Sequence, residues 1–307
     1  MYVDDLVMSC SSKEEAARAS SETGELLLRG KFKLTKWASN MKEFNSCTHN
    51  SAPTGRETVK TLGLQWYTST DQLALNHVRL KLESLATKRI VLKTLSEVFD
   101  PLGLIAPFLV EAKMLLQLIW KMGKDWDEPL MQPLFGRWNQ WRMQVQLIAN
   151  IRTDRWMGPC SSTEEVELHV FCDASSTAYR AAIYFKASNG AVEPHLVIAK
   201  AGVAPVKSVT LPRLELLATL VGARLLMYVK EELGLPIRRI TCWSDSMVAL
   251  SWIKGAKSKG PLGRVVQKFS SHDGLTRTVQ LKTVKGLVTR SVAKLHLLEA
   301  AENDGRN

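Results

Sequence analysis

The stretch Val166-Glu167-Leu168-His169-Val170-Phe171-Cys172-Asp173 decides the fold of the carboxy-terminal half of the chain. Its apolar residues recur at every second position, which is the pattern of a β-strand with one buried face. Asp173 stands where this strand ends. The same arrangement returns in Trp243-Ser244-Asp245-Ser246, where Asp245 follows Ile240–Trp243, a segment that we predict to be a short buried strand.

Residues 165–253 are predicted to form strands and helices in the order βββαβα. Thr177–Lys186 and Leu196–Ala201 supply two further strands, and Asn189-Gly190 is suited to the hairpin turn between them. Leu211–Leu233 predicts a long helix that ends before Gly234. A second helix is expected at Ser246–Ile253. This order favours an α/β fold with a mixed sheet flanked by helices.

Glu215 is the only acid in the strongly apolar segment Leu211–Leu226. A carboxylate left among leucines costs several kcal/mol unless it is paired or bound to a metal. Acids at two strand ends and on one packed helix can converge on a divalent cation, and two such ions support phosphodiester hydrolysis. The candidate site is therefore Asp173, Glu215 and Asp245. The alternative makes the two aspartates turn or helix caps and pairs Glu215 with a nearby arginine, Arg213 or Arg224.

The first 160 residues have mixed character. We predict a helix at Lys13–Leu28, a strand at Lys31–Trp37, and a hairpin formed by Thr61–Trp66 and Leu73–Leu75. Helices are expected at Thr87–Val98 and Val110–Met122, with a break at Asp100-Pro101-Leu102-Gly103 between them. The tryptophans that follow are interpreted as core residues: Trp138, Trp141 and Trp156.

The net charge of +11 favours a polyanionic partner. From Ile253 onward the sequence contains eleven basic residues and four acids, so +7 of the net charge lies in the tail. The alternative is a solvated basic surface. We predict these residues to contact nucleic acid: Lys254, Lys257, Lys259, Arg264, Arg277 and Lys282.

The tail itself is predicted to be a small β-barrel-like unit. Three short strands are expected near residues 264–268, 276–283 and 288–293, joined by turns at Asp273-Gly274 and Lys285-Gly286.

Composition excludes several other classes of protein. Apolar stretches end well short of about 18 residues, so no transmembrane helix is predicted and no membrane partner is expected. The amino terminus lacks the basic and apolar regions of a signal peptide, so we expect an intracellular protein of the cytoplasm or nucleus that is not secreted. Five scattered cysteines without a C-x-x-C pair predict neither a disulfide framework nor a zinc site.

Three segments of the carboxy-terminal half resemble the ribonuclease H domain of retroelement polyproteins of the BEL/Pao class. They are Phe171-Cys172-Asp173-Ala174-Ser175, Ser208-Val209-Thr210-Leu211-Pro212-Arg213-Leu214-Glu215-Leu216 and Trp243-Ser244-Asp245-Ser246. Upstream, Phe99-Asp100-Pro101-Leu102-Gly103 and Lys124-Asp125-Trp126-Asp127 resemble the segment that joins polymerase to nuclease in the same class. The resemblance covers nearly the whole chain.

The same resemblance extends to both ends of the chain. Tyr2-Val3-Asp4-Asp5 is similar to the reverse transcriptase palm turn, which makes Asp4 and Asp5 a vestigial polymerase motif. The tail resembles the small barrel behind the integrase. The implied layout is a palm remnant at 1–78, a mostly helical thumb or connection at 79–160, a ribonuclease-H-like domain at 165–255 and a partial SH3-like barrel at 260–299.

The function implied by the resemblance is Mg²⁺- or Mn²⁺-dependent cleavage of RNA in RNA–DNA hybrids. Asp173, Glu215 and Asp245 would be both catalytic residues and metal ligands, and other polyprotein-derived subunits would be partners. We expect neither polymerase nor integrase activity, since their catalytic cores are incomplete or missing in this sequence. Two departures from the family predict impaired catalysis. No Asn-Pro-Ala-Asp-like motif, in which the family carries its fourth metal-binding acid, follows Ile253, and Arg180 replaces a glycine. The alternative function is a non-catalytic nucleic-acid-binding remnant or a functionless transposon-derived product.

Overall fold

The computed structural model describes residues 5–41, 58–76, 86–156, 165–187, 193–254, 263–271 and 273–295. In this part of the chain no helix is long and apolar enough to cross a membrane.

The amino-terminal segment begins with helix α1, Lys13–Arg29, as predicted. Its first turn is capped by the Ser12 side chain, which accepts a hydrogen bond from the Glu15 amide. The strand predicted at Lys31–Trp37 is wrong, because the segment is irregular. Lys31 and Lys36 have positive φ angles of 63° and 57°, which interrupt any regular extended backbone there.

A four-stranded sheet follows in the order β1-β2-β3-β4. Its strands are β1 (Thr58–Thr61), β2 (Leu64–Tyr67), β3 (Gln72–Ala74) and β4 (Arg152–Asp154). β2 and β3 pair antiparallel, which confirms the predicted hairpin.

The middle region is helical, as predicted, with α2 (Lys88–Glu97), α3 (Ala106–Lys121) and α4 (Leu134–Val145). Trp138 and Trp141 are buried in its core and stack on one another. The prediction that Trp156 is a core residue is wrong, since it is 49% exposed just beyond β4.

The second sheet has the strand order β7-β6-β5-β8. Its strands are β5 (Val166–Ala174), β6 (Ala178–Ala187), β7 (His195–Val203) and β8 (Ile237–Trp243). β5 pairs parallel with β8, and the other pairings are antiparallel. Two helices accompany the sheet: α5 (Leu211–Leu233) and α6 (Met247–Lys254). The predicted mixed sheet flanked by helices is confirmed, while the Asn189-Gly190 turn lies outside the described residues.

Helix α5 packs on one face of β5 and β6. Leu168 and Ile183 on that face are fully buried, and Gly222 lets the helix come close to the sheet. A Cβ added at Gly222 would lie 2.4 Å from Cys172 Sγ and 3.1 Å from a methyl group of Val170.

β8 is mostly exposed, so the prediction of a buried strand at Ile240–Trp243 is wrong. Cys242 of the same strand is also exposed. The cause is position, because β8 is at the edge of the sheet and α5 lies over β5 and β6 instead.

The Asp100–Gly103 segment, which lies between α2 and α3, contacts the second sheet. The Asp100 carboxylate accepts hydrogen bonds from the amides of Leu104 and Ile105 at 2.9 and 3.0 Å, before α3 begins. The Ala199 amide of β7 donates to the Leu102 carbonyl at 2.8 Å. Gly103 lies against this contact with φ of +72°, and an added Cβ would lie 2.0 Å from the Ala199 carbonyl oxygen.

The tail forms three antiparallel strands in the order β11-β10-β9, as predicted. They are β9 (Gly263–Ser270), β10 (Thr276–Thr283) and β11 (Gly286–Ser291). Gly274 and Gly286 adopt the positive φ angles of 76° and 116° that the two predicted turns require. Within the described ranges these strands form an open sheet rather than a closed barrel.

Candidate metal centre

Parallel pairing brings the two predicted aspartates to the same edge of the second sheet. Phe171 of β5 lies opposite Trp243 of β8, and each is followed two residues later by an acid, Asp173 or Asp245. Glu215, in the second turn of α5, completes the cluster. One carboxylate oxygen from each of these three acids lies within 4.8 Å of the other two. The structure therefore brings together all three predicted residues of this site.

Glu215 is buried although it carries a carboxylate. The residue is 7% exposed, and the Ala174 backbone amide donates a hydrogen bond to it. Its Oε2 atom is buried without a hydrogen-bond partner. Burial raises the pKa of Glu215, and the negative charges of Asp245 and Asp173 raise it further, against the lowering effect of the Ala174 amide.

A buried carboxylate that has one unpartnered oxygen and belongs to a cluster with two more acids fits a divalent cation. Mg²⁺ and Mn²⁺ prefer oxygen ligands and often take them from carboxylates. A bound cation would give Glu215 Oε2 a partner and offset the repulsion within the cluster. The donor set of Asp173, Glu215 and Asp245 thus passes this test of fit.

The two capping roles considered for the aspartates are filled by serines. Ser246 Oγ accepts a hydrogen bond from the Ala249 amide in the first turn of α6. In the turn between β5 and β6, Ser175 Oγ accepts from the Ala178 amide, and the Ser175 amide donates to the Ala178 carbonyl at 2.7 Å. The aspartates are therefore not the residues that cap this turn and this helix.

Asp173 has one cationic neighbour across the sheet. Arg180 lies directly opposite it in the β5–β6 ladder, and Arg180 Nη2 is 2.5 Å from Asp173 Oδ2. Both side chains are partly exposed. The sequence marked Arg180 as unusual, but only the pairing register assigns it to this acid.

An exposed aromatic cluster next to the acids was missed at the sequence level. The Phe171 and Trp243 rings stack with centroids 6.0 Å apart, and each residue is nearly half exposed. Trp243 Nε1 donates to His169 Nδ1 at 3.2 Å. The available signal was that each aromatic stands two residues before an acid.

The other residues predicted to have a function lie outside the acidic cluster or outside the described residues. Asp4, Lys257 and Lys259 lie outside the described residues, and Asp5 is partly buried apart from the acidic cluster. Lys254 is exposed at the end of α6. The tail residues divide into two kinds. Arg264 and Lys282 are exposed and directly opposed across β9 and β10, whereas Arg277 forms an ion pair with Asp273.

The β7-β6-β5-β8 sheet, the helix packed on it and the three acids at one edge define a ribonuclease-H-like domain. The family model described as "Pao retrotransposon-like RNaseH-like domain" matches residues 87–246, slightly more than half of the 307-residue chain. The chain belongs to this family, which confirms the resemblance to retrotransposon polyproteins. A family of unknown function, DUF5641, matches residues 239–298.

Solved structures with similarity to the chain include two foamy viral protease–reverse transcriptases in complex with double-stranded DNA. One is 12% identical with a TM-score of 0.37 and covers 64% of this chain and 32% of that one. The other is 14% identical with a TM-score of 0.38 and covers 67% of this chain and 44% of that one. The chain thus spans less than half the length of either structure. No curated protein matches it.

Proposed function

We propose that the chain cleaves the RNA strand of RNA–DNA hybrids with the help of Mg²⁺ or Mn²⁺ held by Asp173, Glu215 and Asp245. The observation that carries this proposal is the convergence of these three acids, with oxygens within 4.8 Å, from two strands and a helix. Surface charge alone does not explain it, because one of the three is buried with an unpartnered oxygen.

The three acids differ in how firmly the fold holds them. Asp173 is fixed by a central strand, and Glu215 is fixed by the helix packed on that strand, so these two give the site its rigidity. Asp245 is exposed and closes the cluster from β8. Asp173, Glu215 and Asp245 would hold the divalent cation, whose Lewis acidity would serve to activate water and stabilise the leaving oxygen. The raised pKa of Glu215 favours its protonated form before a cation binds.

Basic side chains at the end of α6 and in the tail support nucleic acid as the substrate. Arg264 and Lys282 place like charges directly opposite each other, which destabilises a sheet unless an anion lies between them. Phosphate groups fulfil this role, and such contacts weaken as salt concentration rises. We include Lys254, Lys257, Lys259 and Arg277 in this proposed contact set. Hybrids are recognised by shape and 2′-hydroxyl groups, so little sequence preference is expected.

The test is a hybrid-cleavage assay with Mg²⁺ and, separately, Mn²⁺. Asp173→Asn should abolish cleavage, since it removes a proposed metal ligand while preserving size. Asp154→Asn, which makes the same chemical change in the remote strand β4, should leave the rate unchanged. Equal rates for wild type and Asp173→Asn would rule out this site as the source of activity.

A second candidate function is hybrid binding without cleavage. The observation that favours it is the ion pair between Arg180 and Asp173, which occupies one oxygen of a proposed ligand. The Asn-Pro-Ala-Asp-like motif in which the family carries its fourth metal-binding acid is also not found after Ile253 in this sequence. Salt-dependent binding of a hybrid without cleavage in either metal would support this function.

The domain layout given by the resemblance is kept as part of the proposal. It places a palm remnant at 1–78, a connection at 79–160, the nuclease at 165–255 and a barrel-derived tail at 260–299. The proposed substrate assigns the activity to the inside of the cell, where hybrids arise in the cytoplasm or nucleus. Other products of the same polyprotein are the proposed protein partners.

A further inference from the structure

Arg180 stands where it can act on the candidate metal centre without being one of its ligands. It is the direct cross-strand neighbour of Asp173, and such neighbours have Cβ atoms about 4.5–5.5 Å apart. Its position is therefore set by the backbone register and not only by a long flexible side chain. On the opposite side, its partner in β7 is uncharged Ala201.

The contact takes up ligand capacity that a cation would need. Arg180 Nη2 lies 2.5 Å from Asp173 Oδ2, within the same carboxylate that approaches Glu215 and Asp245. A guanidinium is protonated at all physiological pH values, so its positive charge stays next to the cluster. Binding of a divalent cation is therefore weakened in two ways: Asp173 Oδ2 is already occupied, and the positive charge of Arg180 repels the cation.

From these contacts we infer that Arg180 is a built-in competitor of the metal: it occupies Asp173 in the metal-free state and leaves when a divalent cation binds. This inference rests on the proposed metal centre. Departure of the arginine is physically accessible, because 66% of its side chain is already exposed and water can solvate the released guanidinium.

The size of the effect follows from the exposure of the pair. Exposed ion pairs contribute little to stability, so displacement of Arg180 should weaken metal binding by about two- to five-fold rather than abolish it. Arg180 thus tunes the metal concentration at which the centre fills.

The inference is tested by titrating the metal-free chain with Mn²⁺ alone and following free Mn²⁺ by electron paramagnetic resonance. Arg180→Ala should bind Mn²⁺ about two- to five-fold more tightly than wild type. Arg180→Gln, which keeps most of the side-chain volume, should show the same gain. Glu215→Gln identifies which binding belongs to the acidic cluster.

Arg238→Ala is the matched control for charge. Arg238 is similarly exposed and pairs with Glu165 at 3.4 Å, near the opposite end of β8 from Asp245. Its removal changes net charge equally, so its Mn²⁺ affinity should remain at the wild-type value.

The outcomes separate the inference from the function it rests on. Glu215-dependent binding that is equally tight in wild type, Arg180→Ala and Arg238→Ala overturns the role of Arg180 and leaves the metal centre standing. Binding that appears only after Arg180 is replaced supports the competitor role strongly. Absence of Glu215-dependent binding in every variant overturns the metal centre and the inference together.

Discussion

β5 and β8 are parallel neighbours in one sheet, and each carries an acid of the candidate metal centre at its carboxyl end. Asp173 is the second-last residue of β5, and Asp245 lies two residues beyond β8. β5 alternates buried and partly exposed residues, whereas β8 is exposed along most of its length. The difference comes from what covers them. β5 lies in the interior of the sheet under α5, while β8 is an edge strand next to the two strands that this helix mainly covers.

This contrast shows that the two halves of the site have different mechanical support. Asp173 is carried by a strand whose burial fixes its backbone, and Glu215 by the helix packed on that strand. Asp245 is carried by a strand that has few buried side chains to hold it. We therefore expect mutations of equal chemical size to act very unequally on the two strands.

The largest expected difference is between two residues that face each other across the strands, Leu168 and Ile240. Leu168 is fully buried and Ile240 is 37% exposed. Leu168→Ala should lower the free energy of unfolding by about 3 kcal/mol, because it leaves a cavity in the core. Ile240→Ala should cost less than about 1 kcal/mol. Urea denaturation of both variants measures this, and equal losses would contradict the contrast.

The next effect concerns the close approach of α5 to β5. Gly222→Ala should destabilise the chain by about 2 kcal/mol, since the new methyl group would overlap Cys172 Sγ. The double variant with Cys172→Ala should recover part of this loss because the sulfur is removed. The control is Gly24→Ala in α1, because a Cβ added at Gly24 meets no atom within 4 Å. Gly234→Ala does not serve as a control, because the φ angle of +58° at Gly234 strains any residue other than glycine. A loss that persists unchanged in the double variant would show that the contact is not its cause.

A smaller effect, of opposite sign, is expected at the candidate metal centre. The raised pKa of Glu215 means that the unfolded chain loses this proton at a lower pH than the folded chain. Stability therefore falls as pH rises from the usual glutamate pKa through the raised one, and stays lower above it. Glu215→Gln should remove this cost and stabilise the metal-free chain at neutral pH by about 1 kcal/mol.

Thermal melts at neutral and acidic pH check the sign of that prediction. The gain from Glu215→Gln should shrink at acidic pH, where the wild-type carboxyl is protonated. Glu193→Gln, at an exposed position before β7, should show no such pH-dependent gain. A Glu215→Gln variant that is less stable than wild type at neutral pH would exclude an uncompensated charge at this position.

The smallest expected effect is a difference in the chemical reactivity of the cysteine thiols, which leaves the stability of the fold unchanged. Burial is the main cause that raises the pKa of the Cys172 thiol to about 11, with smaller contributions from Cys242 and Glu215. Cys172 should therefore resist alkylation in the folded chain at pH about 8, where only a small fraction of the molecules carry it as a thiolate. Exposed Cys10 should react readily, and exposed Cys242 faster than Cys172. Mass spectrometry after timed alkylation checks the order, and rapid loss of the Cys172 thiol would contradict it.

Much of the fold was predictable because local patterns agreed with one another. α5 was predicted with its observed bounds, because Leu211–Leu233 is continuously suited to a helix and Gly234 can adopt the left-handed conformation that ends it. The tail strands were predicted from alternation and from turns at Gly274 and Gly286. The strand expected at Lys31–Trp37 failed, because alternation over a few residues does not supply a pairing partner.

For the candidate site, the sequence by itself determined which acids were unusual. Two follow apolar strands and one interrupts an apolar helix face, and each of these features is local. Their meeting within 4.8 Å was decided only by the parallel pairing of β5 with β8 and by the packing of α5. The same holds for the partnership of Arg180 with Asp173 and for the exposure of β8. These depend on which strands are neighbours and on which face a helix covers, and those relations join residues far apart in the chain.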